Sequence, residues 1–111
     1  MIEVILREYL EEALDVPVCL EQPPKPPKKY VLIEKTGSSK VNHITSATMA
    51  LQSYAPTLYE TAVLNEAVKA AVEAAIELPE ISSVQLNSDY NYTDTATKRY
   101  RYQAVFDFVY Y

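Results

Sequence analysis

The sequence predicts an α+β domain: a mainly antiparallel or mixed β-sheet with two α-helices packed on one face, in the order α-β-β-β-α-β-β. Three stretches carry this. Residues 100–110 alternate, with Tyr100, Tyr102, Ala104, Phe106, Phe108 and Tyr110 on one face and Arg101, Gln103, Val105, Asp107 and Val109 on the other. A period of two, rich in aromatic and β-branched residues, is that of a strand. Residues 56–77 form a long alanine-rich helical pattern, and residues 2–14 a shorter amphipathic one. The strand face that holds both phenylalanines needs a cover, and the long helix is the part of the chain best suited to provide it. The closing strand is therefore expected inside the fold.

The elements follow in order. Ile2, Ile5, Leu6, Tyr9, Leu10, Ala13 and Leu14 recur at helical spacing, which gives one apolar face. Arg7 and Glu11 sit four apart on that helix, a pair worth ~0.3 kcal/mol, and Pro17 marks its exit. The polar side of the helix is acidic, which favours packing on a sheet over a membrane surface rich in anionic lipid. Residues 18–21 are a short strand candidate. Four prolines between Pro23 and Pro27 then impose extended or polyproline geometry and read as a stiff connection bearing Lys25, Lys28 and Lys29. Residues 30–35 form a strand. Thr36 to Ser39 are expected to turn, with Gly37, the only glycine, free to take a positive φ.

Residues 40–54 alternate weakly, with Val41, His43, Thr45, Ala47, Met49 and Leu51 on one side, and are expected to form a third strand. Its first part and the preceding strand would make a hairpin arm across Gly37. Thr57 and Glu60 have capping-box spacing, with Pro56 in the first turn. Leu64, Val68, Ala71, Val72, Ala75 and Leu78 make the buried stripe, and Glu66, Lys69, Glu73 and Glu77 the solvent side. Six alanines between Ala62 and Ala75 let this helix lie close to a sheet, and Pro79 stops it. Residues 81–86 lead into a fourth strand. Asn87 to Lys98 are expected to be a polar loop or hairpin tip.

The 111 residues are read as one domain, 1–111, large enough to bury a core with a modest margin. The net charge of −5 argues against broad nucleic-acid binding, which needs Lys and Arg to neutralise phosphates. Lys98, Arg99 and Arg101 among tyrosines are the one basic-aromatic patch, a pattern that single-stranded nucleic acid could use but that reads more simply as a charged strand entrance. A lone cysteine, Cys19, makes no internal disulfide and agrees with a reducing compartment. Neither a secretory signal nor a transmembrane segment is expected. Ten tyrosines without a tryptophan suit half-buried sheet faces and interfaces.

Chemistry is sparse. His43 is the only histidine and lacks neighbours that would make a metal site or a general base. Cys19 reads as a small buried hydrophobe. Asp89 and Asp94 bracket Asn91 and Thr93, but the calcium-loop pattern is missing its Gly and its terminal Glu. With one glycine, no phosphate-cradling loop is present. No enzyme, cofactor or metal site is expected.

The pattern of elements and local wording resembles the tail-terminator (tail-completion, minor tail) proteins of long-tailed bacteriophages and prophages of Gram-positive bacteria. The similar pieces are residues 27–37, 52–55, 86–92 and 101–107, so the resemblance runs over nearly the whole chain. It implies a structural subunit of a hexameric ring that caps the tail tube and meets the head connector, with DNA crossing the lumen without sequence-specific binding. The implied partners are further copies of the chain, the tail tube protein and the head-connector protein. The implied location is the virion tail, and the host cytoplasm during assembly. Lys35, Gly37, Lys40, Tyr90, Tyr92, Glu66, Glu73 and Glu77 are the candidate interface residues, a lysine-rich end facing an acidic helix of the next copy. Two other readings stand beside it: a peptide-binding or adaptor module that uses Pro23 to Pro27 or a sheet edge, and a small enzyme around His43 or the Asp89 to Asp94 segment.

Overall fold

The computed structural model describes residues 2–97 and 99–110. Helix α1 spans Ile2–Leu14, strand β1 Val18–Cys19, β2 Tyr30–Val41, β3 Ile44–Tyr54, helix α2 Leu58–Ala74 with a 3₁₀ turn Ala75–Glu77, β4 Ile81–Asn91 and β5 Arg101–Tyr110. The strands make one sheet in the order β1-β2-β3-β5-β4. Only β1 and β2 are parallel; the other neighbours are antiparallel. The expected α+β architecture and element order are those observed, with both helices on one face.

The core lies between that face and the helices. Ile2, Leu6 and Leu10 of α1 and Leu64, Val68 and Val72 of α2 meet Val31 and Ile33 of β2, Ala47, Met49 and Leu51 of β3, and Ala104, Phe106 and Phe108 of β5. Phe106 and Phe108 are wholly buried, on the face that their alternation assigns. Thr57 caps α2, its Oγ1 accepting from the Glu60 N–H at 3.2 Å, so Pro56 precedes the cap and does not sit in the first turn. Helix α1 ends at Asp15, whose φ of 56° is the left-handed exit common after a helix.

Three expectations give way. The turn is not at Gly37. Strand β2 continues to Val41, which pairs with Ile44, and the two-residue loop Asn42-His43 reverses the chain with φ of 51° and 67°. Two successive positive φ values are those of a type I′ hairpin turn, whose twist matches the strands, and Asn enters that region readily. Gly37 has no positive φ; it follows a bulge, where Lys35 pairs with Met49 and Gly37 with Thr48. The expected arm is largely absorbed into the sheet, because β5 pairs β3 from Thr45 to Tyr54. Only the tip around Asn42 and His43 extends past it. Finally, Asn87 to Asn91 are strand: β4 runs to Asn91 and pairs with Tyr102 there.

Strand β4 tolerates its edge position through two register shifts, at Ile81/Ser83 and Leu86/Ser88. Bulges of this kind twist an edge away from casual pairing. Replacing Phe106 by Ala removes a ring at the centre of the helix–sheet contact and is expected to cost ~3–5 kcal/mol, read as a large fall in melting temperature. Near-wild-type melting would contradict the placement.

Candidate functional site

The bulge at Thr36 and the alternation of the strands sort the sheet into two unlike faces. One carries the core. On the other, no helix lies, and the residues form rows across four strands. Tyr30, Tyr54 and Arg101 are register partners, then Leu32, Gln52, Gln103 and Tyr90, then Glu34, Ala50, Val105 and Ser88. The next row is Gly37, Thr48, Asp107 and Gln85. This bare face is polar and aromatic, and a broad groove of about 370 Å³ crosses it over Gly37, Ser39, Ser46, Thr48, Asp107 and Val109.

The rows are held by side-chain hydrogen bonds. Thr48 Oγ1 donates to Asp107 Oδ1 at 2.8 Å, and Asn87 Nδ2 to Asp107 Oδ2 at 2.9 Å. Gln52 Nε2 donates to Gln103 Oε1 at 2.9 Å, Tyr54 Oη to Gln52 Oε1 at 2.9 Å, and Gln103 Nε2 to Tyr90 Oη. Buried polar groups on an uncovered face stay cheap only when satisfied in this way.

At one end of the face, the rings of Tyr30 and Tyr54 stack with centroids 4.5 Å apart and planes at 4°. Both are buried, although no helix covers them. Two arginines and a glutamine do so instead. Arg99 donates to Tyr30 Oη at 2.7 Å and lies 5.2 Å from the Tyr54 centroid. Arg101 donates to Tyr54 Oη at 3.1 Å and to the Tyr92 carbonyl at 3.0 Å, and sits 4.3 Å over the Tyr92 ring. Gln22 Nε2 donates to Tyr30 Oη at 2.6 Å, which brings the proline-rich connection to the same place. Arg99 is delivered there by local hydrogen bonds: Asp94 and Arg99 exchange backbone hydrogen bonds, and the Asp94 carboxylate accepts from Ala96 N–H at 3.1 Å. Hydrogen bonds from Thr97 and Ala96 hold the Asp94 carboxyl below its ordinary pKa. Between the proline segment and this cluster lies a cleft of about 190 Å³, lined by Pro26, Pro27, Lys28, Tyr30, Tyr54, Ala55, Pro56, Arg99 and Tyr100.

The candidate interface residues are dispersed. Tyr90 and Tyr92 meet edge to face, 5.8 Å apart, half-exposed beside the bare face. Lys35 falls on the helix side of β2 and pairs with Glu3 of α1 at 3.6 Å. Lys40 is exposed near the hairpin tip, and Gly37 borders the groove. Glu66 pairs with Lys69 at 2.9 Å, whereas Glu73 and Glu77 are exposed without ion pairs among the described residues. The lysines do not gather at one end as the sequence implied. Strand β2, Tyr30–Val41, lies between Lys29 and Lys40 and separates them by nearly its length, ~35 Å at 3.3 Å per residue. Of the basic-aromatic patch, Arg99 and Arg101 are assembled with tyrosines as described, and Lys98 lies outside the described residues.

The residues considered for catalysis are also apart. His43 is at the hairpin tip, in a cleft with Ile44, Ser82, Val109 and Tyr110 that no carboxylate lines among the described residues. Cys19 is partly exposed rather than fully buried, and desolvation raises its thiol pKa. Asp89 is on β4, facing α2, where Asn65 Nδ2 donates to it at 2.7 Å and Lys69 forms an ion pair with it. The hydrogen bond of Lys69 to Asp89, then the one to Glu66, raises the Lys69 pKa. A group raised in this way contributes its full stability below its ordinary pKa and loses it only as pH climbs through the raised value. No set of three His, Cys, Asp or Glu side chains is gathered for a metal among the described residues. Asn65 and Thr61, buried polar residues of α2, were not singled out from sequence. Their positions beside the apolar stripe were the only signal.

No protein-family model matches the chain, and no curated protein matches it in sequence.

Arg101→Lys keeps the charge but loses the planar fork that reaches Tyr54 and Tyr92 together. The expected cost is about 1–2 kcal/mol in thermal or denaturant unfolding; an unchanged midpoint would remove Arg101 from the list of residues that hold this end of the sheet.

Proposed function

We propose that the chain is a ring-building structural subunit that closes a phage tail tube and meets the head connector. The observation that carries this reading is a sheet with unspent bonding capacity. One face lacks a helical cover, β4 has no partner on its outer side, and β2 has none beyond Leu32 among the described residues. A single copy of such a domain leaves backbone donors and acceptors and half-exposed tyrosines open to other copies. Head-to-tail contact between copies closes into a ring when the rotation allows it. The resemblance over residues 27–37, 52–55, 86–92 and 101–107 supplies the kind of ring. The acidic net charge suits a channel that DNA crosses without sticking. In this reading the chain works by shape and assembly, in the virion tail.

The adaptor reading draws less support. Pro26 and Pro27 line a cleft of their own domain, and Gln22 is bonded to Tyr30, so the proline segment is engaged at home. The enzyme reading would need His43 or Asp89 beside a reacting group, and their neighbours are those given above.

Electron microscopy of particles made without this protein tests the proposal. Tails of irregular or excessive length that fail to join heads are expected. Tails of normal length, joined to heads, would contradict it.

A further inference from the structure

The cleft beside Tyr30 and Tyr54 has apolar walls and a cationic rim. Pro26, Pro27, Ala55 and Pro56 form the walls; among the described residues Lys28 and Arg99 are its charges, and no acidic residue lines it. Lys25, Lys28, Lys29, Arg99 and Arg101 form no ion pair among the described residues. A space of roughly 150 Å³ holds a benzene-sized group, so this one, at about 190 Å³, accepts an aliphatic side chain.

The complementary shape is at the far end of α2. Ile76 is 45% exposed in the 3₁₀ turn Ala75–Glu77. Exposed Glu73 and Glu77 flank it, and the last turns of α2 and of the 3₁₀ segment hold no basic residue. Carboxylates at the negative pole of a helix repel it. Within one copy this repulsion stands uncompensated, and a cation from outside would relieve it. The cleft lies by Pro56, at the start of the same helix, ~30 Å from Ile76 at 1.5 Å per residue. One copy therefore cannot fill its own cleft.

We propose that Ile76 of one copy seats in the Pro26–Tyr54–Arg99 cleft of a second copy, with Glu73 and Glu77 facing Lys28 and Arg99. The occupant is a second copy because the charges and apolar parts of the two surfaces are complementary, and because Lys28, Arg99, Glu73 and Glu77 have no ion pair within their own copy among the described residues. The contact is heterologous and leaves a free cleft and a free knob at the two ends of any open chain of copies. It rests on the ring-subunit reading for the closure of that chain, and it moves the basic side of the contact from Lys35 and Lys40 to Lys28 and Arg99.

Crosslinking of two purified full-length variants tests it. One copy carries Lys25→Cys and the other Ala74→Cys, both exposed positions beside the contact that leave Lys28, Arg99 and Ile76 in place, mixed at high concentration with a short bis-maleimide. Products are mapped by mass spectrometry so that Cys19 adducts are counted apart. Mixed 25–74 crosslinks are expected to form at least tenfold faster than crosslinks between Lys25→Cys and Val63→Cys, an exposed control on the same helix. Adding Glu73→Lys and Glu77→Lys to the Ala74→Cys copy is expected to erase that advantage. Equal rates with Ala74→Cys and Val63→Cys, or a rate indifferent to the charge reversal, would overturn the proposal. The readout does not involve tails. Specific crosslinks together with normal tails in the deletion would keep this contact and remove the terminator reading; unspecific crosslinks with defective tails would do the reverse.

Discussion

The structure depends on the pairing of β3 with β5. These two strands are the centre of the sheet, in register from Thr45–Tyr110 to Tyr54–Arg101, and each has a further partner on its other side. Their shared inner face, with Met49, Leu51, Phe106 and Phe108, is what the helices cover. Small residues, Ala71 on α2 and Ala75 at its C-cap, let the helix lie close to the sheet, where Val68 and Val72 share one core with those rings. A slip of one residue in this ladder would turn the phenylalanines to the bare face and the glutamines to the core, so the two-faced character of the sheet follows from this register.

The bare face shows how polar residues are kept without a cover. Gln52, Gln103, Tyr54 and Tyr90 satisfy one another in a row, and the arginines close over the stacked tyrosines. On the other face, Asn65 and Lys69 fix α2 against Asp89 at a single position along β4. These contacts sit at the margins of the apolar core, where a geometry-dependent bond specifies orientation that hydrophobic burial leaves loose. The result is a domain whose remaining hydrogen-bonding capacity faces outward.

The architecture was legible because its signals are periodic. Helical spacing in residues 2–14 and 56–77 and alternation in residues 100–110 each specify which side is buried, and the structure buries those sides apart from Ala13, which is exposed at the end of α1. The hairpin was misread because glycine is the strongest turn signal in a sequence, and here Gly37 serves a bulge while Asn42 and His43 supply the positive φ values. The same error displaced the lysines: with the turn moved by several residues, Lys40 ends up remote from Lys28, and Lys35, in phase with Val31 and Ile33 ahead of the bulge, faces Glu3 on the helix side. In the Tyr30–Tyr54–Arg99–Arg101 cluster, Arg99 is bonded to Tyr30 across 69 positions of sequence. No local pattern encodes such a meeting; it requires the strand order β2-β3-β5, which periodicity alone does not give.

The central claim is that the β3–β5 ladder closes the fold of one copy and leaves the outer edge of β4 and the far part of β2 for other copies. Hydrogen exchange on the dilute chain and on assembled particles measures it most directly. In the dilute chain, amides of β3 and β5 are expected to exchange only through global unfolding, and outward-facing amides of β4 to exchange far faster. Assembly is expected to slow the edge amides and leave those of β3 and β5 as they were. Edge amides of β4 as protected as β3 in the dilute chain, or unchanged on assembly, would contradict the account.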